Sequence, residues 1–192
     1  MCAARGRATF RADESGVLVL ISIRDCKYSK KDRNWIEYVY SEYLEALADL
    51  NTGVFAMLDP GNPQKDEIFA NWFANEHSHP LVILRGPDPV GFALVTRPRV
   101  ASSGATLADF NMAEFFIRKQ YRRSGAGRSA AALIFDRFSG EWEILQYQRN
   151  PGAVMFWRKV VADYSRGNFT EKTVNGETRH RFKSRPQVRQ EN

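Results

Sequence analysis

Cysteine is scarce in this 192-residue chain, which has only Cys2 and Cys26. Two thiols supply neither a disulfide framework nor a four-ligand zinc site, and a reducing cytoplasm is the simplest setting for them. Long apolar runs are also missing. The longest, Gly16 to Ile23, is far shorter than the ~20 residues a membrane-spanning helix needs. The opening residues MCAARGRATF carry arginines, but Asp13 and Glu14 come before any apolar segment, which argues against a secretory leader. The sequence shows neither an internal repeat nor a low-complexity tract. What is present is a globular composition, 43% hydrophobic and 26% charged, enough to bury one core in one domain. Acidic residues are the minority charge: 22 against 28 Lys and Arg, a net charge of +6 with a pI of about 9.5. That excess suits a polyanionic partner, whether a nucleic acid or a small polyphosphate.

Periodicity and punctuation predict the order of elements. Gly16 to Asp25, rich in Val and Ile, reads as a buried strand. Residues 31–50 place Trp35, Tyr38, Val39, Tyr43, Leu44 and Leu47 at helical spacing, and a second helix over 64–76 carries Ile68, Trp72 and Phe73. The break between them is Asp59-Pro-Gly-Asn-Pro63. Two strands follow, Pro80–Gly86 and Pro89–Thr96, joined by a turn at Gly86-Pro87-Asp88. A loop holding Pro98, Ser102, Ser103 and Gly104 leads to a strand over 108–117 and a helix from Gly125 to Phe138, ended by Gly140. A strand over 143–149 runs into a helix that starts at Pro151 and is capped by Asn150. Asn175-Gly176 then closes a hairpin. The result is a mixed α/β (α+β) domain over 16–184 around one sheet. Residues 1–15 are an N-terminal extension free to be disordered, and 185–192 a polar tail.

The chemistry concentrates in Glu114-FFIRKQYRRSGAGRSAA-Ala132, where a strand enters a basic, glycine-bearing loop that opens into a helix. The first N–H groups of a helix lack internal partners and sit at the positive end of its dipole, so this is an anion site. Gly125 and Gly127 let ligand oxygens reach the backbone, and Arg118, Lys119, Arg122, Arg123 and Arg128 crowd the rim. A nucleotide-hydrolysing loop would need a lysine after Gly127. A dinucleotide fingerprint would need a third glycine where Ala130 stands. Both are excluded.

Arg122-Arg-Ser-Gly-Ala-Gly127 resembles the R/Q-x-x-G-x-G/A signature of the GNAT superfamily of acyl-CoA-dependent N-acyltransferases. Asn150-Pro-Gly-Ala153-Val-Met-Phe156-Trp157-Arg-Lys159 is similar to that superfamily's N-x-x-A-x-x-F-Y-x-K helix, and the element order from Val17 to Ser184 is also the superfamily's. The longer strings AEFFIxxxYRRxGxG and W-x-x-x-Q-x-x-x-N-x-x-A-x-x-FWRK look like a group of small bacterial acetyltransferases. The resemblance implies a single GNAT-like domain: a mostly antiparallel central sheet splayed between its fourth and fifth strands, about four flanking helices and a C-terminal β-hairpin. It implies acetyl-CoA (coenzyme A) as acyl donor, with no metal. The N–H groups of Arg123, Ser124, Gly125, Ala126, Gly127 and Arg128 would bind the pyrophosphate beside Arg122. The backbone of Phe116, Ile117 and Arg118 would pair with the pantetheine arm, with Phe156 and Asn150 also at the cofactor. Asn150 would touch the pantetheine amide, cap the helix, or do both.

The implied reaction is aminolysis of a thioester, and an amine with a lysine-like pKa of about 10.4 must first lose a proton. Strict alternation on the fourth strand puts Asp109, Asn111, Ala113, Phe115 and Ile117 on one face, and Met112, Glu114 and Phe116 on the other. Glu114, among aromatic residues that desolvate it, is the first choice for the base; the alternative is a glutamate paired with a loop arginine. Where the superfamily often has an acid tyrosine this chain has Trp157, whose N–H gives no proton to a thiolate. Tyr147 and Tyr164 are the substitutes, and an unassisted thiolate is the other route. His77-Ser-His79 lacks further ligands and reads as an exposed helix-to-strand junction. Cys26 lacks a basic partner, and Trp35, Tyr38 and Tyr43 read as core. The basic stretch Arg179 to Arg185 reads as a solvated hairpin face. The leading function is acetyl transfer from acetyl-CoA to a primary amine. Transfer to aminoacyl-tRNA and a non-catalytic acyl-CoA-binding module are the alternatives. No membrane partner is expected, and homodimers are common in the superfamily.

Overall fold

A computed structural model of the chain describes residues 8–12, 18–48, 64–98 and 108–184. Its elements run β1 (Ala8–Ala12), β2 (Leu18–Asp25), α1 (Lys30–Ala48), α2 (Gln64–Ala74), β3 (Ser78–Arg85), β4 (Asp88–Thr96), β5 (Phe110–Ile117), α3 (Ala126–Arg137), β6 (Glu141–Tyr147), α4 (Pro151–Ser165), β7 (Phe169–Val174) and β8 (Glu177–Lys183). The eight strands form one sheet in the order β1-β2-β3-β4-β5-β6-β8-β7. Every neighbouring pair is antiparallel except β5 and β6. Residues 8–12, inside the segment read as an N-terminal extension, are the edge strand paired with β2. The expected Asp59–Pro63 break, the loop around Ser102–Gly104 and the tail from Arg185 lie outside the described residues. Among the described residues no helix is long and apolar enough to cross a membrane.

Helices cover both faces of the sheet, so β3 and β4 are buried almost continuously rather than alternately. On one face α1 and α2 close over Val82, Leu84, Phe92, Leu94 and Phe116. On the other, α3 and α4 close over Ile83, Phe110, Met112, Ile117, Trp142 and Ile144. The buried stripe of α1 is Ile36, Val39, Tyr40, Tyr43 and Leu44, at i, i+3, i+4, i+7 and i+8. Tyr38, read as core, is instead 75% exposed, and on α2 the core position belongs to Phe69 rather than to the exposed Ile68. Each residue advances a helix by about 100°, so an error of one position moves a side chain from the seam to solvent.

One irregularity reorders β5. Leu94 pairs with Glu114 but Val95 pairs with Met112, leaving Ala113 as the extra residue of a bulge. Met112 therefore packs under α3 and α4 together with Phe115 and Ile117, while Glu114 and Phe116 face α1. The expected grouping of Met112 with Glu114 and Phe116 is corrected by that bulge, because one extra residue inverts a period of two. Beyond it the β4–β5 contact is very close. A Cβ on Gly91 would fall 2.2 Å from the Phe116 carbonyl oxygen, so only glycine fits.

Candidate active site

The parallel pairing of β5 and β6 lasts for two residues, Phe110–Trp142 and Asn111–Glu143, and then stops. The bulge follows at once, and β5 continues along β4 while β6 continues along β8. The two strands therefore diverge. These are the fourth and fifth strands of the sequence reading, shifted by one because β1 precedes them, and the splay expected between them is present. A groove of about 1260 Å³ opens here. Phe115, Phe116 and Ile117 line it from β5, and Arg122 to Gly125, Gly127 and Arg128 from the loop and the start of α3. Asn150, Gly152, Ala153, Phe156, Lys159 and Val160 line it from α4, and Tyr43, Ala46 and Leu47 from α1, together with Arg85 and Gln120.

The loop is shaped as an anion cradle. After a short 3-10 turn at Lys119–Tyr121, Arg123 has φ 63° and Gly125 φ 84°, both left-handed. A non-glycine residue in that region is uncommon and persists only when its surroundings impose it. The first intrahelical bond of α3 runs from Ser129 N–H to Gly125 O at 3.1 Å. The N–H groups of Ala126, Gly127 and Arg128 thus precede the helix's own acceptors and point out of its positive end. Arg122 is fixed by its Nε, which donates to Ile117 O at 2.8 Å, and by its guanidinium 5.5 Å from the centre of the Phe116 ring. The Ser124 hydroxyl donates to Tyr121 O at 2.8 Å. A Cβ on Gly127 would press on the Phe156 ring at 3.3 Å, so the glycine permits α3 and α4 to meet at the groove. These outward amides, with Arg85, Arg122, Arg123, Arg128 and Lys159 on the walls, fit a diphosphate and its attached chain.

The other expected residues fall in three groups. Asn150 caps α4, its Oδ1 accepting from Ala153 N–H at 3.0 Å, and it also stands on the groove wall beside Phe156. On the β5 edge only part of the expected trio turns to the splay. Arg118 N–H donates to Val90 O on β4 at 3.0 Å, and ladder alternation turns Phe116 the same way. The backbone of Ile117, and of Phe115, faces the splay. The Arg118 side chain reaches away to Glu42, 2.9 Å, and Ala126 is buried. Neither Tyr147 nor Tyr164 lines the groove. The Tyr164 hydroxyl donates to Asp136 Oδ1 at 2.9 Å and its ring packs on Phe135 and Phe182. Trp157 is core, against Phe115, Phe135 and Phe156.

Glu114 is part-buried beneath α1, where its carboxyl accepts a hydrogen bond from the Tyr43 hydroxyl. Burial pushes its pKa up to about 7, with the Tyr43 hydrogen bond pulling the other way. The loop arginines bond elsewhere: Arg122 to Ile117 O, Arg118 to Glu42, Arg128 to Asp163 at 3.3 Å. Tyr43 is the partner that sequence reading missed. Read as core, it is indeed buried, yet it also lines the groove, and no local pattern pairs it with a carboxylate 71 residues away. Cys26 is fully buried and its thiol is pushed up to about 12, mainly by burial, so it is not a nucleophile. Among the described residues no group of three or more His, Cys, Asp or Glu could hold a metal ion.

No protein-family model matches the sequence, and no curated protein does. Solved structures do match. The chain is similar to a GNAT-family acetyltransferase from Streptococcus agalactiae, with TM-score 0.62 and 11% identity over 93% of this chain and 99% of that one. It is similar to an acetyltransferase from Thermus thermophilus at TM-score 0.57 and 16% identity, covering 85% and 96% of the two chains. It also matches yncA of Salmonella typhimurium, whose structure contains its cofactor acetyl-CoA, at 0.56 and 14% over 89% and 98%. The chain has the GNAT acetyltransferase fold.

Proposed function

We propose that this chain transfers an acyl group, acetyl foremost, from coenzyme A to a primary amine. The observation that carries the reading is the outward N–H groups of Ala126, Gly127 and Arg128 at the mouth of the β5–β6 splay, among five cationic side chains. A diphosphate satisfies those amides, and guanidinium groups hold its oxygens in pairs. The acyl donor is a substrate consumed in each turnover, and its thioester supplies the electrophilic carbon.

The chain's own groups do the rest. The Phe115 and Ile117 backbone edge accepts an extended arm as a further strand. Phe156 and Val160 close its apolar side. Glu114 is the carboxylate that takes up the amine's proton; held up to about 7, it is poised near neutral pH, where a general base works best. Screening a panel of primary amines with isotope-labelled acetyl-CoA, read by mass spectrometry, tests the activity. Label should transfer to at least one amine, and the Glu114→Gln chain should transfer it at least about 10²-fold more slowly. Absence of transfer to every amine, despite tight coenzyme A binding, would contradict catalysis and leave an acyl-CoA-binding module.

A further inference from the structure

Glu114 is part-buried between α1 and β5 and is not among the residues that line the groove. Tyr43 belongs to both places: it lines the groove and its hydroxyl donates to Glu114. It is also held in position, its ring standing edge-on to Phe92 at 5.5 Å and tilted against Phe116 at 5.4 Å. Trp157 meanwhile occupies, as packed core, the position where the resemblance would have put an acid tyrosine.

Resting on the acyl-transfer reading above, we propose that Tyr43 is the catalytic proton-transfer residue of this site, linking the Glu114 carboxyl to the groove and supplying the acid that Trp157 cannot. The step balances within the pair. Once the amine nitrogen has bonded to the thioester carbon, it carries one proton too many. That proton passes to the Tyr43 oxygen as the Tyr43 proton passes to Glu114. When the C–O double bond re-forms, the C–S bond breaks and sulfur keeps the electron pair. Tyr43 gives its proton to sulfur and is refilled from Glu114. Nitrogen has lost one proton, sulfur has gained one, and the pair ends as it began.

The electrostatics agree with that assignment. Burial, then the Glu114 charge, hold the Tyr43 phenol well above its ordinary value, so it remains a donor, and Glu114 is the member that changes charge near neutral pH. Among the described residues, the titratable groups bearing on Glu114 are Tyr43 and Tyr40, both from α1. β4 sets Leu94 opposite it, and Phe92, Phe116 and the α2 residue Trp72 complete that apolar cluster.

The test compares wild type, Tyr43→Phe, Glu114→Gln and the double variant. Thiol release from acetyl-CoA with a primary-amine mixture is followed from pH 5 to 9, and coenzyme A affinity is measured by calorimetry. Tyr43→Phe keeps the packing ring. It should release thiol about 10²-fold more slowly, with coenzyme A affinity unchanged and the pH limb near 7 lost. The double variant should be no slower than either single one, because groups acting as a unit are not additive. Tyr43→Phe with a wild-type rate, with affinity falling in step with rate, or with a loss that multiplies that of Glu114→Gln overturns the relay. A wild-type chain that does not bind coenzyme A overturns the acyl-transfer reading, and the relay with it.

Discussion

Glu114→Gln should cost activity and add stability, and the second effect has a definite pH signature. In the folded chain burial holds the carboxyl's pKa at about 7, against an ordinary value of 4.5. The folded state therefore binds that proton more firmly than the unfolded state, by about 3 kcal/mol. Between pH 4.5 and about 7 the unfolded chain has released the proton and the folded chain still holds it, so stability falls as pH rises, then levels off once both have lost it. Glutamine keeps an acceptor for the Tyr43 hydroxyl and carries no charge to bury. The variant should match wild type near pH 4.5 and exceed it by about 3 kcal/mol at pH 8. Urea unfolding followed by tryptophan fluorescence at both pH values reads the difference directly; the chain has 4 tryptophans, and Trp72, Trp142 and Trp157 are buried. A gap that is the same at both pH values would refute the argument, since it would mean that Glu114 does not bury its charge on folding.

Two further substitutions probe the scaffold. Gly91→Ala places a Cβ 2.2 Å from the Phe116 oxygen in the centre of the sheet, and should destabilise by at least about 3 kcal/mol; thermal unfolding at the wild-type temperature would disprove that contact. Asn150→Ala removes the cap on α4 and should cost about 1 kcal/mol by chemical denaturation, with no change of fold by circular dichroism.

The order of elements was legible because local chemistry writes it. Asn175-Gly176 closes the last hairpin with φ 52° and 79°, and Asn150-Pro151 starts α4 as cap and first-turn proline. The loop that lines the groove was legible for the same reason: its glycines, its basic residues and the helix start lie within Arg122–Arg128. Residues that depend on distant partners were not. The bulge at Ala113 has no local signature, being set by pairing with Leu94 and Val95, and it moved Met112 to the face opposite Glu114. Tyr43 carries the same apolar spacing as its neighbours on α1, and only the crossing of α1 over β5 makes it the partner of Glu114. The faces of α1 and α2 took in the exposed Tyr38 and Ile68 and left out the buried Ile36, Tyr40 and Phe69, because an apolar residue beside the stripe is indistinguishable from one in it until the sheet is present.

We propose that the N–H groups at the start of α3 hold a diphosphate, and calorimetric titration of coenzyme A into wild type and Gly125→Asp reads that contact. The aspartate puts a negative charge and a Cβ at the cradle, on a residue whose backbone is left-handed at φ 84°. Wild type should bind coenzyme A and the variant should show no measurable binding while unfolding cooperatively. Equal affinity in the two proteins would contradict the claim.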